Sequence, residues 1–376
     1  MRDADTAMYR AKGESSAYVV FEPAMYEQLV KRLELENDLR RATKNGDFVL
    51  HYQPIVDLRT GEMWGMEALV RWNHPGRGLL DPSEFVPAAE ESGLIVPMGE
   101  RVLEDACREA LRWEGANPDV PPLVVSVNLS ARQLGRPDLA DKLEAALMET
   151  GLPGNRLCLD VTETVYVKAL EGNIATLDRI RRTGVRISID DFGTGYSSLS
   201  YLKHLPADTL KIDRSFVKGL GEDVQDTAIV RTIIELTHTL GMQAVAEGVE
   251  GPSQTRLLRE MGCDLGQGYH ISKPLPPGEL LAFLAERTNP SRGYPPIRRE
   301  AFHWIAVHPA LAAPAIVDFE QILGCNFSSR HTVAGVEGRT SRREDFQGPD
   351  IHPRAVGLRR GPGCGLRRLR DSIPGC

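Results

Sequence analysis

Between about residues 47 and 287 the chain repeats one pattern. A short β-branched or aliphatic run ends in polar residues, a Gly- or Pro-marked turn follows, and an amphipathic stretch comes next. Eight runs predict strands: 48–56, 63–71, 123–129, 157–161, 186–190, 209–212, 243–246 and 265–271. Helical stretches separate most of them, among them 99–113 and 227–240. In the second, Ile229, Ile233, Leu236 and Leu240 fall at 3/4 spacing as one apolar stripe. Strands alternating with helices need crossover connections and therefore a parallel sheet. Eight such units fit a closed α/β barrel of the (β/α)8, TIM-like type, whose typical length is about 250 residues. The rival, an open doubly wound sheet, usually has fewer strands and would carry a Gly-rich first turn that this chain lacks.

The flanks differ from this repeat. Ala4–Lys12 reads as a helix ending at Gly13, Tyr18–Phe21 as a strand, and Pro23–Leu39 as a charged helix with Pro23 suited to the first helical position. About twenty residues cannot bury a core alone, so residues 1–22 are expected to be the end of something larger. Residues 23–35 are then a linker helix and 36–287 the barrel domain. Residues 288–376 hold many Pro, Gly and Arg residues, no lysine and little periodicity. They predict a poorly structured tail, and the loss of lysine is also what a misread frame would leave.

Charge and cysteine usage narrow the partners. The formal net charge of −7 argues against a surface built for a nucleic-acid polymer. No apolar run approaches the roughly 18 residues of a membrane span, and the polar start Met1-Arg2-Asp3-Ala4-Asp5 lacks a signal peptide's apolar core. The six cysteines form no CxxC pair, so neither a zinc site nor a disulfide framework is indicated and reduced cytoplasmic thiols are expected.

In a parallel barrel the active site lies at the C-terminal ends of the strands. There the chain carries Gln53 within the first run, Glu67 and Arg71, Asn128, Asp160 with Glu163 beyond, Asp190 and Asp191, Lys211, Glu247 with Glu250 beyond, and Gln267. One such residue would only mark where a strand leaves the core. Barrel closure brings all of them toward one axial point. Several carboxylates so close cannot all stay ionised without a cation. Oxygen donors without His or Cys select Mg2+ or Mn2+ over Zn2+. Of the nine histidines, only His270 stands at a strand end in this ring, and it reads as structural. Asp190 and Asp191 would face opposite sides of a continuing strand, but Phe192-Gly193-Thr194-Gly195 breaks it and lets both face the site. A shared carboxylate suits two ions about 3.5–4 Å apart, the spacing of phosphoryl transfer. Lys211 could orient water or neutralise charge on phosphate; taken alone it reads more plainly as half of a Lys–Asp ion pair.

The segments carrying these residues resemble the EAL family. YQPIVDL (Tyr52–Leu58), Glu67-Ala68-Leu69 in GMEALVRW, EFVPAAEESGLI (Glu84–Ile95), SVNLSARQL (Ser126–Leu134), IDDFGTGYSSLSYL (Ile189–Leu202), LKIDRSFV (Leu210–Val217), AVAEGVE (Ala244–Glu250) and LGQGYHISKPLP (Leu265–Pro276) follow in family order. The resemblance covers about residues 36–287. It implies a barrel with one antiparallel strand and hydrolysis of one 3′–5′ bond of cyclic-di-GMP to linear pGpG. It implies two Mg2+ or Mn2+ ions, with Ca2+ usually inhibitory, and a homodimer. By motif match, Glu67, Asn128, Asp160, Asp190, Asp191 and Glu247 are metal ligands, with Asp190 bridging. Glu247 is alternatively the general base, and Lys211 binds the water or the second-metal shell. Gln53, Arg71 and Gln267 face substrate. The plainer reading of Arg71 is a salt bridge to a neighbouring acid. Glu163 and the Gly193–Ser198 loop form a loop-ordering pair linked to dimerisation, and Glu250 is a supporting acid. The family usually has Glu where this chain has Asp160, one methylene shorter, which predicts reduced activity unless the backbone absorbs the difference. A cyclic-di-GMP receptor that binds without cutting is the second expectation. ADTAMYRAKG (Ala4–Gly13) resembles the last helix and strand of a GGDEF domain whose catalytic half is missing, so no cyclase activity is expected.

Overall fold

The computed structural model describes residues 23–116, 121–166, 174–194 and 207–287. The GGDEF-like segment 1–22, the tail 288–376 and residues 195–198 of the Gly193–Ser198 loop lie outside the described residues. Nine strands are present: β1 Phe48–Asp57, β2 Met63–His74, β3 Gly78–Leu80, β4 Val124–Asn128, β5 Leu157–Thr162, β6 Arg186–Phe192, β7 Thr209–Ile212, β8 Gln243–Ala246 and β9 Leu265–Gln267. Their order is β1-β9-β8-β7-β6-β5-β4-β2, closed by the β1–β2 pairing, with β3 attached to β2 as a short return. Eight strands therefore close the barrel. β1 runs antiparallel to both neighbours, and every other neighbouring pair in the closed ring is parallel.

The strand period of two sorts side chains between an outer, helix-packed layer and the barrel interior. On β1, Leu50 and Tyr52 are buried outward, and the Tyr52 ring meets Trp113 edge-on at 5.1 Å. Trp113 belongs to the helix Ile95–Ala116, which buries Met98, Val102, Ala106, Ala110 and Trp113 at 3/4 spacing. Full burial of each large apolar side chain contributes about 1.5–3 kcal/mol. Above the barrel mouth β1 and β2 continue as a two-stranded ribbon, backed on its outer face by an aromatic cluster. Phe48, Trp72 and Phe85 lie 5.7–5.9 Å apart, centroid to centroid. Phe85 comes from the helix Pro82–Ser92.

Two local expectations change. The helix Val224–Thr239 buries Val230, Ile233, Ile234 and Thr237, while Ile229 is 37% exposed. The segment carries apolar residues on two adjacent rows, so spacing alone leaves its phase open; packing on β7 and β8 selects the row one residue on. The eighth strand ends at Gln267, short of the expected residue 271, and at Gly268 the Val249 backbone lies 2.2 Å from where a Cβ would sit, which leaves room there for glycine alone. One helix, Pro23–Asn45, runs across residues 35 and 36, seating Leu39 and Ala42 fully in the core and Asp38 against His74 at 3.2 Å. Cys107, Cys158 and Cys263 are free and buried. Among the described residues no helix is long and apolar enough to cross a membrane.

Barrel closure depends on a tight β2–β4 crossing at Gly65, where an added Cβ would lie 2.5 Å from the Val124 carbonyl oxygen. Gly65→Ala is expected to destabilise the fold by about 1–3 kcal/mol, the usual cost of overpacking. The urea unfolding midpoint checks this, and an unchanged midpoint contradicts the close approach.

Candidate functional site

Closure and register bring one inward side chain from each barrel strand to the same mouth. Lys211, on β7 and 2% exposed, stands at the centre. Its Nζ lies 2.6 Å from Glu247 Oε1, 3.0 Å from Asp160 Oδ2, 3.4 Å from Asp190 Oδ1 and 3.5 Å from Glu67 Oε2. Around it runs a hydrogen-bond chain. Asn128 Nδ2 donates to Glu67 Oε1 at 2.8 Å, and Gln267 Nε2 donates to Glu67 Oε2 at 2.6 Å and to Gln53 Oε1 at 3.0 Å. Gln53 Nε2 in turn donates to the Ser272 carbonyl at 3.1 Å. Both Glu67 oxygens are thereby fixed by neutral donors.

The end of β6 departs from regular strand geometry. Asp191 has φ +54, a left-handed conformation that Asp tolerates better than most residues. The β6–β7 register shifts between Ile189 and Phe192. Asp191 N–H donates to Asp190 Oδ1 at 2.9 Å, and the next turn is pinned by Gly193 N–H donating to Glu163 Oε2 at 3.2 Å. This break brings the two adjacent carboxylates to one side. Two oxygen-donor trios result, Glu67–Asp160–Asp190 and Asp190–Asp191–Glu247, with donor atoms in each within 4.8 Å of one another. Asp190 belongs to both.

Two predicted site residues stand outside this cluster. Arg71 lies on the ribbon above it, its Nε 3.0 Å from Asp81 Oδ1 and its Nη1 donating to the Val70 carbonyl. Glu250 is exposed, its amide held by Gln254 Oε1 at 2.7 Å, and takes no part in the Lys211 ion pairs. His51 was missed by the strand-end rule. Because β1 runs antiparallel, its N-terminal half rises over the mouth, and His51 shares the inward face of Gln53 one step above it. The alternation in His51-Tyr52-Gln53 carried that signal, but only once the direction of β1 was known.

One lysine cannot neutralise three buried acids and the half-buried Glu247, and the proton affinities reflect this. Burial pushes Asp160 up to about 7, with Glu67 and Asp190 adding repulsion and Lys211 opposing. Burial also pushes Glu247 up to about 8 against the pull of Lys211. Asp191 is raised by burial and by Asp190. Burial works against Glu67 too, but Lys211, Gln267 and Asn128 outweigh it and hold the carboxyl below its ordinary value. Lys211 is held charged despite its burial by Asp160, Asp190, Glu247 and Glu67. Two all-oxygen trios carrying excess negative charge fit a pair of hard divalent ions.

Two outcomes follow for the metal-free protein. Asp160 and Glu247 have ordinary values of 3.8 and 4.5, so between about pH 4 and pH 8 the folded state binds more protons than the unfolded one. Their contribution to stability is therefore present at low pH and lost as pH rises through that window. Thermal melts in chelator should show this decline and melts in Mn2+ should not; equal slopes contradict it. Lys211→Met should cost about 3–5 kcal/mol in chelator, as for a broken buried pair. Divalent metal should recover much of that loss, and a variant as stable as the wild type in chelator contradicts a charge-balancing role.

Residues 36–274 match the EAL domain family. The chain is 45% identical over 287 residues to the bifunctional diguanylate cyclase/cyclic di-GMP phosphodiesterase MucR of Pseudomonas aeruginosa, which covers 76% of this chain and 42% of that protein. It is 42% identical over 286 residues to the cyclic di-GMP phosphodiesterase NbdA of the same organism, covering 76% and 36%. The chain thus spans less than half the length of either relative. Among solved structures, the PaMucR phosphodiesterase in complex with c-di-GMP superposes with a TM-score of 0.62 at 45% identity, over 66% of this chain and 99% of that one. The EAL domain of Mycobacterium smegmatis DcpA gives 0.55 at 42% identity, over 64% and 98%. With its barrel and mouth described and residues 36–274 matched, the chain belongs to the EAL domain family.

Proposed function

We propose that the domain hydrolyses one 3′–5′ phosphodiester bond of cyclic-di-GMP to linear pGpG, using two Mg2+ or Mn2+ ions. The observation that carries this reading is the pair of carboxylate trios sharing Asp190. Glu67, Asn128, Asp160 and Asp190 would hold one ion; Asp190, Asp191 and Glu247 would hold the other. When bound, the ions supply Lewis-acid charge at the phosphodiester oxygens. Alternatively, Glu247 leaves the ion to its neighbours and serves as the general base that takes a proton from the attacking water. As the water oxygen bonds to phosphorus the P–O3′ bond breaks, and the departing 3′ oxygen takes a proton from solvent to become the free 3′ hydroxyl. The Lys211 ammonium balances the charge that gathers on the phosphoryl oxygens.

Gln53, Arg71 and Gln267 contact the ligand. Arg71 has a guanidinium suited to paired hydrogen bonds with phosphate and releases Asp81 to make them. Gln267 Oε1 is buried and has no hydrogen-bond partner among the described residues, which supports a role as acceptor toward the ligand. The Glu163–Gly193 bond supports a loop-ordering role linked to homodimer formation, with Glu250 as a supporting acid. The enzyme is cytoplasmic in this reading.

Purified chain with cyclic-di-GMP and Mn2+ should yield pGpG by chromatography. Binding without product would favour a receptor. Glu67→Ala should lower turnover at least 100-fold, on the scale of lost positioning; retained turnover contradicts the assignment. Asp160 already lies within one trio with Glu67 and Asp190, so Asp160→Glu should change kcat by less than about threefold, and a large gain would show that reach limits the natural chain.

A further inference from the structure

The inner face of the β1–β2 ribbon carries one polar ring that the mechanism above leaves idle. The registers Val49↔Arg71, His51↔Leu69 and Gln53↔Glu67 put Val49, His51, Leu69 and Arg71 on the face that bears the ring residues Gln53 and Glu67. The Asn73↔Leu79 pair adds Leu79 to that face. Val49 and Leu79 are 39% and 52% exposed, so this wall offers open apolar surface beside Arg71 and Asn73. The opposite face is fixed against Phe85, which makes the wall a rigid platform.

Resting on the phosphodiesterase reading, we propose that His51 is a substrate-contact residue whose imidazole stacks on a purine ring of the cyclic dinucleotide while Arg71 takes the adjoining phosphate. The ring is partly buried, and among the described residues it makes no hydrogen bond and no ring-on-ring contact, so neither ties it to another side chain. Arg71 from β2, Asp81 before the helix Pro82–Ser92 and Glu279 from the helix Pro277–Arg287 are the charged groups that act on it. Burial and the Arg71 cation hold it below its ordinary value, against Glu279 and Asp81, so it is uncharged near neutral pH. An uncharged ring beside the guanidinium stacks without adding a second cation. The apolar flank then covers a base, and the guanidinium beside it meets the attached phosphate.

The test uses the full chain loaded with Ca2+ for binding of cyclic-di-GMP by calorimetry, and with Mn2+ for steady-state rates. His51→Ala is expected to weaken binding about tenfold, within the range for loss of one base–aromatic stack. The loss should fall on KM rather than kcat. His51→Phe should restore affinity to within about threefold, and His51→Gln should not. If His51→Ala binds like the wild type, or His51→Gln rescues better than His51→Phe, stacking at His51 is wrong. If the wild-type chain itself neither binds nor cleaves cyclic-di-GMP, the phosphodiesterase reading falls and this inference falls with it.

Discussion

A single ammonium group buried among four carboxylates organises the mouth of this barrel. Lys211 is 2% exposed, and Glu67, Asp160, Asp190 and Glu247 stand around its ammonium at 2.6–3.5 Å. Such a cluster is poor as a source of stability, because desolvating several charges cancels much of their attraction. It is useful as a store of unbalanced negative charge. Asp160 and Glu247 hold protons well above the ordinary carboxylate range as a result. Hard cations would displace those protons, which couples metal affinity to pH through the same side chains.

The strand register supplies the geometry that the charges need. Parallel strands deliver their C-terminal ends to one rim, so Asn128, Asp160, Asp190 and Lys211 arrive together without any long loop to position them. The one antiparallel strand does something different. Its first half, with the matching extension of β2, lifts a ribbon above the rim and keeps Arg71 and His51 over the cluster. The charges of the mouth sit on or just beyond the strands, and the ribbon over them is braced by Phe48, Trp72 and Phe85 from behind.

Eight barrel strands were legible because each is a short apolar run bounded by turn residues. β3 was not, since three residues, Gly78–Leu80, are too few to show a period. The phase of the helix Val224–Thr239 was hidden by apolar residues on two rows. The direction of β1 left no mark in spacing, and His51 was passed over for that reason. Residue types around the mouth were readable from the strand ends; their mutual contacts were not. The Gln53–Gln267–Glu67 chain joins residues about 200 positions apart through hydrogen bonds. The Arg71–Asp81 pair depends on where the helix Pro82–Ser92 begins, and no local pattern announces it. The turn after Asp190 was the exception, because Gly193 follows it within three residues and the signal is local; the strand resumes for Phe192 alone, paired with Ile212, before it ends.

The central claim is that Asp190 belongs to two cation sites at once. Manganese titration of the purified chain, followed by electron paramagnetic resonance, tests it directly. The account predicts two ions per chain with an exchange-coupled signal that Asp190→Ala abolishes. One ion per chain, or two that stay magnetically independent, would contradict it.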